Sequence, residues 1–152
     1  TVNDSLHITD GLATIAGFKP GANPEASIEM TPTFAGQLKS ARRRFVKDGP
    51  QSLLIEDQIE TIPATKMVTW QLMTTADVQL VKGGALLTQE GKKLKLENLS
   101  HPEISVSVIS LYPAPLELDR QIPGLKRLEL RIPAYLFTGG KGKIGVRLMG
   151  QQ

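Results

Sequence analysis

Hydrophobic and polar side chains alternate along most of this chain with a period of two, the spacing that puts successive residues on opposite faces of a β-strand. Val68, Trp70 and Leu72 alternate with Thr69 and Gln71; Ile104, Val106 and Val108 with Ser105 and Ser107; Leu128, Leu130 and Ile132 with Arg127, Glu129 and Arg131. Leu94 and Leu96 among Lys93, Lys95 and Glu97, and Ile144, Val146 and Leu148 between Lys143 and Arg147, repeat the pattern. Each segment predicts a half-buried strand, with β-branched residues at many of the inward positions, as pleated sheets favour. A first strand is expected over Leu6-His7-Ile8-Thr9, with His7 turned away from Leu6 and Ile8. Helical spacing is scarce, and only Thr33 to Ser40 leaves open a short helical turn.

Fourteen glycines and ten prolines punctuate these segments. They cluster at Pro20-Gly21, Asp48-Gly49-Pro50, Gly83-Gly84, Glu90-Gly91, Pro113-Ala114-Pro115, Pro123-Gly124 and Gly139-Gly140, about a strand and a turn apart. Gln89-Glu90-Gly91-Lys92 predicts a tight hairpin, because glycine accepts the positive φ that short strand reversals require. Many short strands without long helical stretches predict an all-β fold, an antiparallel β-sandwich in one domain spanning 1–152. The alternation also leaves one face of each sheet polar, for solvent or a partner. Lys19 to Pro24 and Tyr135 to Gly142 are loops by composition.

Composition narrows the class. The 152 residues are 40% hydrophobic and 22% charged, which suits a globular domain and not a disordered tail. A chain of this length buries roughly 68–70% of its unfolded surface, enough for a core without staples. The absence of cysteine excludes a disulfide framework, a thiol nucleophile and a Cys-ligated zinc site. A net charge of +3 and a pI near 9.3 reflect few net charges and do not make a nucleic-acid footprint, so no nucleic-acid partner is expected. No apolar run approaches the ~20 residues of a membrane helix, and the first residues do not read as a leader, so no membrane association is expected. A chain opening at Thr1 is expected to be a processed or excised piece of something longer.

Candidate chemistry is sparse. His7 and His101 sit in no ligand-spaced cluster, no nucleotide-binding or nucleophile-elbow motif occurs, and neither cofactor nor metal is expected. Gly139-Gly140-Lys141-Gly142-Lys143 resembles a phosphate loop but leads into a strand, so a hairpin loop is expected there. Glu56 and Asp57 are adjacent in a strand and face opposite ways, which bars them from acting as paired carboxylates. Trp70 is expected in the core. Tyr112 and Tyr135, beside prolines at strand ends, have no visible partner group for acid or base work. The strongest charge feature is Arg42-Arg43-Arg44, followed by Phe45, Val46 and Lys47. On a strand Arg42 and Arg44 share a face while Arg43 lies opposite, with Ala41 and Phe45. Two roles are open for the arginines. One is a cross-strand ion-pair ladder with Glu56 and Asp57 beyond the Asp48-Gly49-Pro50 turn. The other is a substrate-binding site, in which Arg42, Arg44 and nearby Lys47 meet an acidic glycan or an acidic neighbouring domain, since guanidinium forks match carboxylate and sulfate oxygens.

The order of segments carries a resemblance. Val2-Asn3-Asp4-Ser5-Leu6-His7, Ala41-Arg42-Arg43-Arg44-Phe45-Val46, Leu54-Ile55-Glu56-Asp57-Gln58-Ile59, the stretch from Val68-Thr69-Trp70-Gln71 to Asp77-Val78, and Leu94-Lys95-Leu96 resemble the β-sandwich part of heparinase II/III-like polysaccharide lyases. The resemblance implies a two-part enzyme, an upstream α/α-toroid and a downstream sandwich, that cleaves acidic polysaccharide by β-elimination in the periplasm or outside the cell. That reaction removes the proton alpha to a uronate carboxylate and needs a base, an acid and charge neutralisation. In such lyases most catalytic groups belong to the toroid. The sandwich histidine of the family precedes the segment resembling Thr1 to His7, so no catalytic residue is expected in this chain. A free-standing carbohydrate-binding module and a purely structural domain are the alternatives.

Overall fold

A computed structural model describes residues 1–151 and turns most of the period-two segments into strands. In chain order these are β1 (Thr14–Lys19), β2 (Glu25–Glu29), β3 (Leu38–Gly49), β4 (Ser52–Thr61), β5 (Met67–Thr74), β6 (Asp77–Val81), β7 (Gly84–Gln89), β8 (Lys92–Asn98), β9 (Ser107–Ser110), β10 (Lys126–Pro133) and β11 (Lys141–Gln151). They form an eight-stranded sheet in the order β1-β2-β3-β4-β11-β8-β7-β6 and a three-stranded sheet in the order β5-β10-β9. Every pairing is antiparallel, as the alternation requires of sheets with one wet face. The fold is an all-β sandwich.

The core lies where the two inner faces meet. Ala41, Ile55, Ile59, Leu96, Ile144 and Val146 of the large sheet are buried against Val68, Trp70, Leu128, Leu130 and Ile132 of the small one. In β5 and β10 the register sets Leu130 opposite Trp70 and Ile132 opposite Val68, so one strand pair supplies much of the apolar wall. Burying each such side chain is worth about 1.5–3 kcal/mol relative to leaving it in water.

The tight hairpin between β7 and β8 is present: Gln89 pairs with Lys92, and Glu90 and Gly91 both have positive φ, 50° and 76°. That pair of left-handed residues makes a turn whose twist matches the flanking strands. The helical question at Thr33 to Ser40 resolves as a 3-10 turn shifted toward the N-terminus, Thr31–Phe34, with β3 beginning at Leu38.

Three local expectations fail. Leu6 to Thr9 is no strand: Leu6 and His7 are exposed and no neighbouring strand takes up their backbone. Ile104 to Val106 precedes β9, because the Asn98 side-chain amide donates to the carbonyls of His101 and Ile104 and bends that stretch into a turn, while Val106 still enters the core. The glycine-rich run at 139–143 is no hairpin loop. Its 3-10 turn carries the chain from β10 in the small sheet across to β11 in the large one. A hairpin and a crossover use the same turn residues, and only strand pairing tells them apart.

Candidate functional site

β3 carries the arginine run, and alternation divides it as strand geometry demands. Arg42 and Arg44 stand on the outer face of the large sheet, where Arg42 Nη2 lies 3.2 Å from Glu29 Oε2 and Arg44 Nε lies 3.4 Å from Glu25 Oε1. Both partners are on β2, on the side of β3 away from β4. Glu56 of β4 contacts Lys143 of β11 at 3.4 Å, and Glu60 contacts Lys39 at 2.6 Å. Arg147 bridges Asp48 and Glu97 at 3.0 and 3.3 Å. The outer face is thus a lattice of alternating charges running from β2 to β8. Each exposed pair contributes about 0–1 kcal/mol, and the lattice mainly sets sign and register.

Several carboxylates in this and neighbouring contacts are held ionised. The Thr31 hydroxyl and backbone N–H, and then Arg42, hold Glu29 below the ordinary carboxylate range. Ser52 and then Arg147 do the same for Asp48, and Lys39 for Glu60. Lys47 is exposed but shares the parity of Arg43 and Phe45. It borders a shallow hollow with Leu53, Leu94 and Leu148, on the inward side of the sheet. The structure brings Arg42 and Arg44 together and sets Lys47 apart from them.

Arg43 points inward. Its Nε and Nη2 donate to Asp57 Oδ1 and Oδ2 at 2.6 and 2.7 Å, a bidentate pair in which Asp57 is 4% exposed. Burial works against the Arg43 charge, and the Asp57 carboxylate more than offsets it, so its pKa rises. The register sets Arg43 opposite Asp57 and Arg44 opposite Glu56, as the predicted β3–β4 ladder has it, but only Arg43 and Asp57 form the ion pair, while Arg44 turns to Glu25 and Glu56 to Lys143. Its burial went unread in the sequence, although the signal was there: Asp57 falls in phase with Ile55 and Ile59, and Arg43 with Ala41 and Phe45. A carboxylate already matched by a guanidinium is a structural group, not a free general base.

Beside that pair, a cavity of about 210 Å³ opens between the sheets. Arg43, Asp57 and Ile59 wall one side; Thr1, Thr69, Trp70 and Gln71 wall the other. Trp70 is 4% exposed, as expected of a core residue, yet its Nε1–H has no acceptor, and the buried hydroxyl of Thr69 is likewise unpartnered. On the small sheet Glu129 is also buried. Its Oε1 accepts from Gln71 Nε2 at 2.9 Å and lies 2.7 Å from Arg127 Nε, a close charge contact whose alignment falls short of a hydrogen bond.

The remaining candidates are dispersed. His7 is exposed, and His101 accepts the backbone N–H of Glu103 in a loop, as expected of a residue before proline. Tyr112 and Tyr135 are exposed, far apart in the chain, and share no acid–base partner among the described residues. Among the described residues no group of three or more His, Cys, Asp or Glu side chains is gathered to hold a metal ion. No helix among them is long and apolar enough to cross a membrane.

No protein-family model matches the chain, and no curated protein matches it. Solved structures do. Heparan sulfate lyase HepC from Pedobacter heparinus superposes at a TM-score of 0.70 with 15% identity, over 100% of this chain and 23% of that one. A mutant of the same lyase gives 0.71 and 14% over the same shares. A crystal structure of heparinase III gives 0.62 and 10%, over 91% of this chain and 21% of its own. The chain has the fold of one domain of these lyases. At such identities only the fold is shared, and the chain spans less than a quarter of the length of the structures it matches.

Proposed function

We propose that this chain is the C-terminal β-sandwich domain of a polysaccharide lyase that cleaves an acidic, uronate-containing polysaccharide by β-elimination. The observation that carries the proposal is the superposition of the whole chain on under a quarter of a heparan sulfate lyase. The sandwich supports one wall of a cleft whose other side is an upstream α/α-toroid domain of the same polypeptide. β-elimination requires a base at the proton alpha to the carboxylate and an acid at the leaving oxygen. Within this chain the buried carboxylates Asp57 and Glu129 are matched by arginines, which fits a supporting role with the reacting groups elsewhere. The parent protein acts in the periplasm or outside the cell, where such polymers are found.

Contact between Arg42, Arg44 and Lys47 and the acidic polymer belongs to the same proposal. Sulfate or carboxylate oxygens would exchange with Glu25 and Glu29 on the outer face, and Lys47 would reach the polymer only around the strand end. Charge reversal, Arg42→Glu with Arg44→Glu, separates the roles. Weakened binding of the polysaccharide at an unchanged urea midpoint supports contact; a lowered midpoint with binding unchanged assigns the arginines to the ion lattice alone.

The lyase assignment is tested on the parent protein with heparan sulfate and other uronate polysaccharides. Unsaturated uronate products, followed by their ultraviolet absorbance, are expected from the parent and not from Thr1 to Gln152 alone. Product formed by this chain alone would overturn the supporting role, and none from the parent on any uronate polymer would overturn the lyase.

A further inference from the structure

The small sheet has an unfinished edge. β5 is its terminal strand, and only Thr1 to Asn3 run beside it: Val2 bridges Val68, Thr69 N–H donates to the Thr1 carbonyl, the Thr1 α-amino group donates to the Thr69 carbonyl, and Asn3 N–H donates to the Met67 carbonyl. The pairing is antiparallel, and Thr1 with Thr69 is a fully hydrogen-bonded pair. Backbone groups on one edge recur every second residue, so those of Gln71 and Met73 point to the same edge as those of Met67 and Thr69. Among the described residues nothing pairs with them.

The cavity of about 210 Å³ lies along this edge. Trp70 and Thr69, both only 4% exposed, line it, and at this end of β5 the Trp70 Nε1–H and the Thr69 hydroxyl have no partner. A buried donor without an acceptor costs about 1–3 kcal/mol, so both groups are a cost carried at the open end of β5. The Thr1 α-amino group sits at the mouth of the cavity.

We infer that the cavity and the open β5 edge are the seat of the segment leading into Thr1 in the parent protein, which continues the Thr1–Asn3 pairing as a fourth strand of the small sheet. The inference rests on the proposed place of this chain in a longer polypeptide. The register follows from Thr1 opposite Thr69. The first preceding residue lies opposite Trp70, within reach of its indole. The second lies opposite Gln71 and exchanges both backbone hydrogen bonds with it, and the fourth does the same with Met73. The segment thereby covers the core end and ties the sandwich to whatever precedes it. This is strand addition within one chain.

Amide hydrogen exchange on the parent protein tests it. Gln71 and Met73 amides are expected to exchange as slowly as those of Leu72, which is paired to β10. Proline in place of the second residue before Thr1 removes the N–H that bonds the Gln71 carbonyl and so breaks the two-bond pair at that rung; it is expected to speed exchange at Gln71 at least about tenfold and to leave Leu130 in β10 unchanged. Freely exchanging Gln71 and Met73 amides in the parent, a natural product that begins at Thr1, or protection that arises only on adding a glycan or a partner protein would each overturn it. The exchange readout is independent of catalysis: protected amides in a parent without lyase activity keep the strand and remove the lyase, and free amides in an active parent do the reverse.

Discussion

Arg43 and Asp57 illustrate how much one residue's phase in a strand decides. The same arginine run has two members in solvent, where each ion pair is nearly neutral in stability, and one member at the inner face, where breaking the pair strands a charge in the core. Arg43→Ala is expected to lower unfolding free energy by about 3–5 kcal/mol, whereas Arg43→Met with Asp57→Leu, which removes both charges and keeps the volume, restores most of it. Urea denaturation of the two variants measures the difference. Equal destabilisation by both would mean that the pair sets the β3–β4 register, since Arg43 and Asp57 face one another directly. Arg42→Ala, by contrast, is expected to stay within about 1 kcal/mol of the parent.

At the scale of elements, the large sheet depends on close approaches as well as on apolar area. Gly84 opens β7 directly against β8, and a Cβ there would come within 1.9 Å of the Leu96 backbone carbonyl oxygen. That oxygen is main chain of Leu96, a fully buried residue, and cannot step aside as a flexible side chain could. Gly84→Ala is therefore expected to cost at least about 3 kcal/mol or to displace β6 and β7 from the sheet, seen as loss of amide protection from Asp77 to Gln89. Gly91→Ala meets open space but holds φ at 76°, so about 1 kcal/mol is expected there, from backbone conformation alone. The contrast separates two reasons for a glycine that look the same in the sequence.

For the molecule as a whole, the hydrogen-bonded surface carboxylates predict its response to acid. Asp4 is held low by Arg131, Glu29 by Thr31, Asp48 by Ser52 and Glu60 by Lys39. A carboxylate whose folded pKa lies below its unfolded value binds fewer protons when folded, so stability rises with pH across that window. The contribution is complete above the ordinary values of 3.8 for Asp and 4.5 for Glu, and it is lost as pH falls through the lower folded values. Urea midpoints are expected to be flat above about pH 6 and to fall modestly below about pH 4, because these exposed contacts are each worth about 0–1 kcal/mol. A midpoint that held steady down to about pH 2 would show that the ion contacts contribute nothing.

Strand existence was legible in the residues because period-two burial is a local property: Val68-Trp70-Leu72 and Leu128-Leu130-Ile132 each report their inward face without reference to the rest of the chain. The Glu90-Gly91 reversal was legible for the same reason, since φ preference belongs to the residue itself. Leu6 to Thr9 looked like a strand and is not one, because alternation states a preference and a strand needs a neighbour to take up its N–H and C=O groups. What the sequence by itself determined is therefore the all-β class, the core positions of β5, β8, β10 and β11, and the split of Arg42 and Arg44 from Arg43. Apart from the β3–β4 and β7–β8 hairpins, only the tertiary structure decided which strands are neighbours, and with that the rest: Arg42 and Arg44 meet Glu29 and Glu25 rather than Glu56, the glycine run at 139–143 crosses between sheets, and β5 is the edge of its sheet, beside a cavity. Neighbour choice is set by how two apolar faces close over one core, a sum over contacts between residues far apart in the chain, and no local pattern contains it.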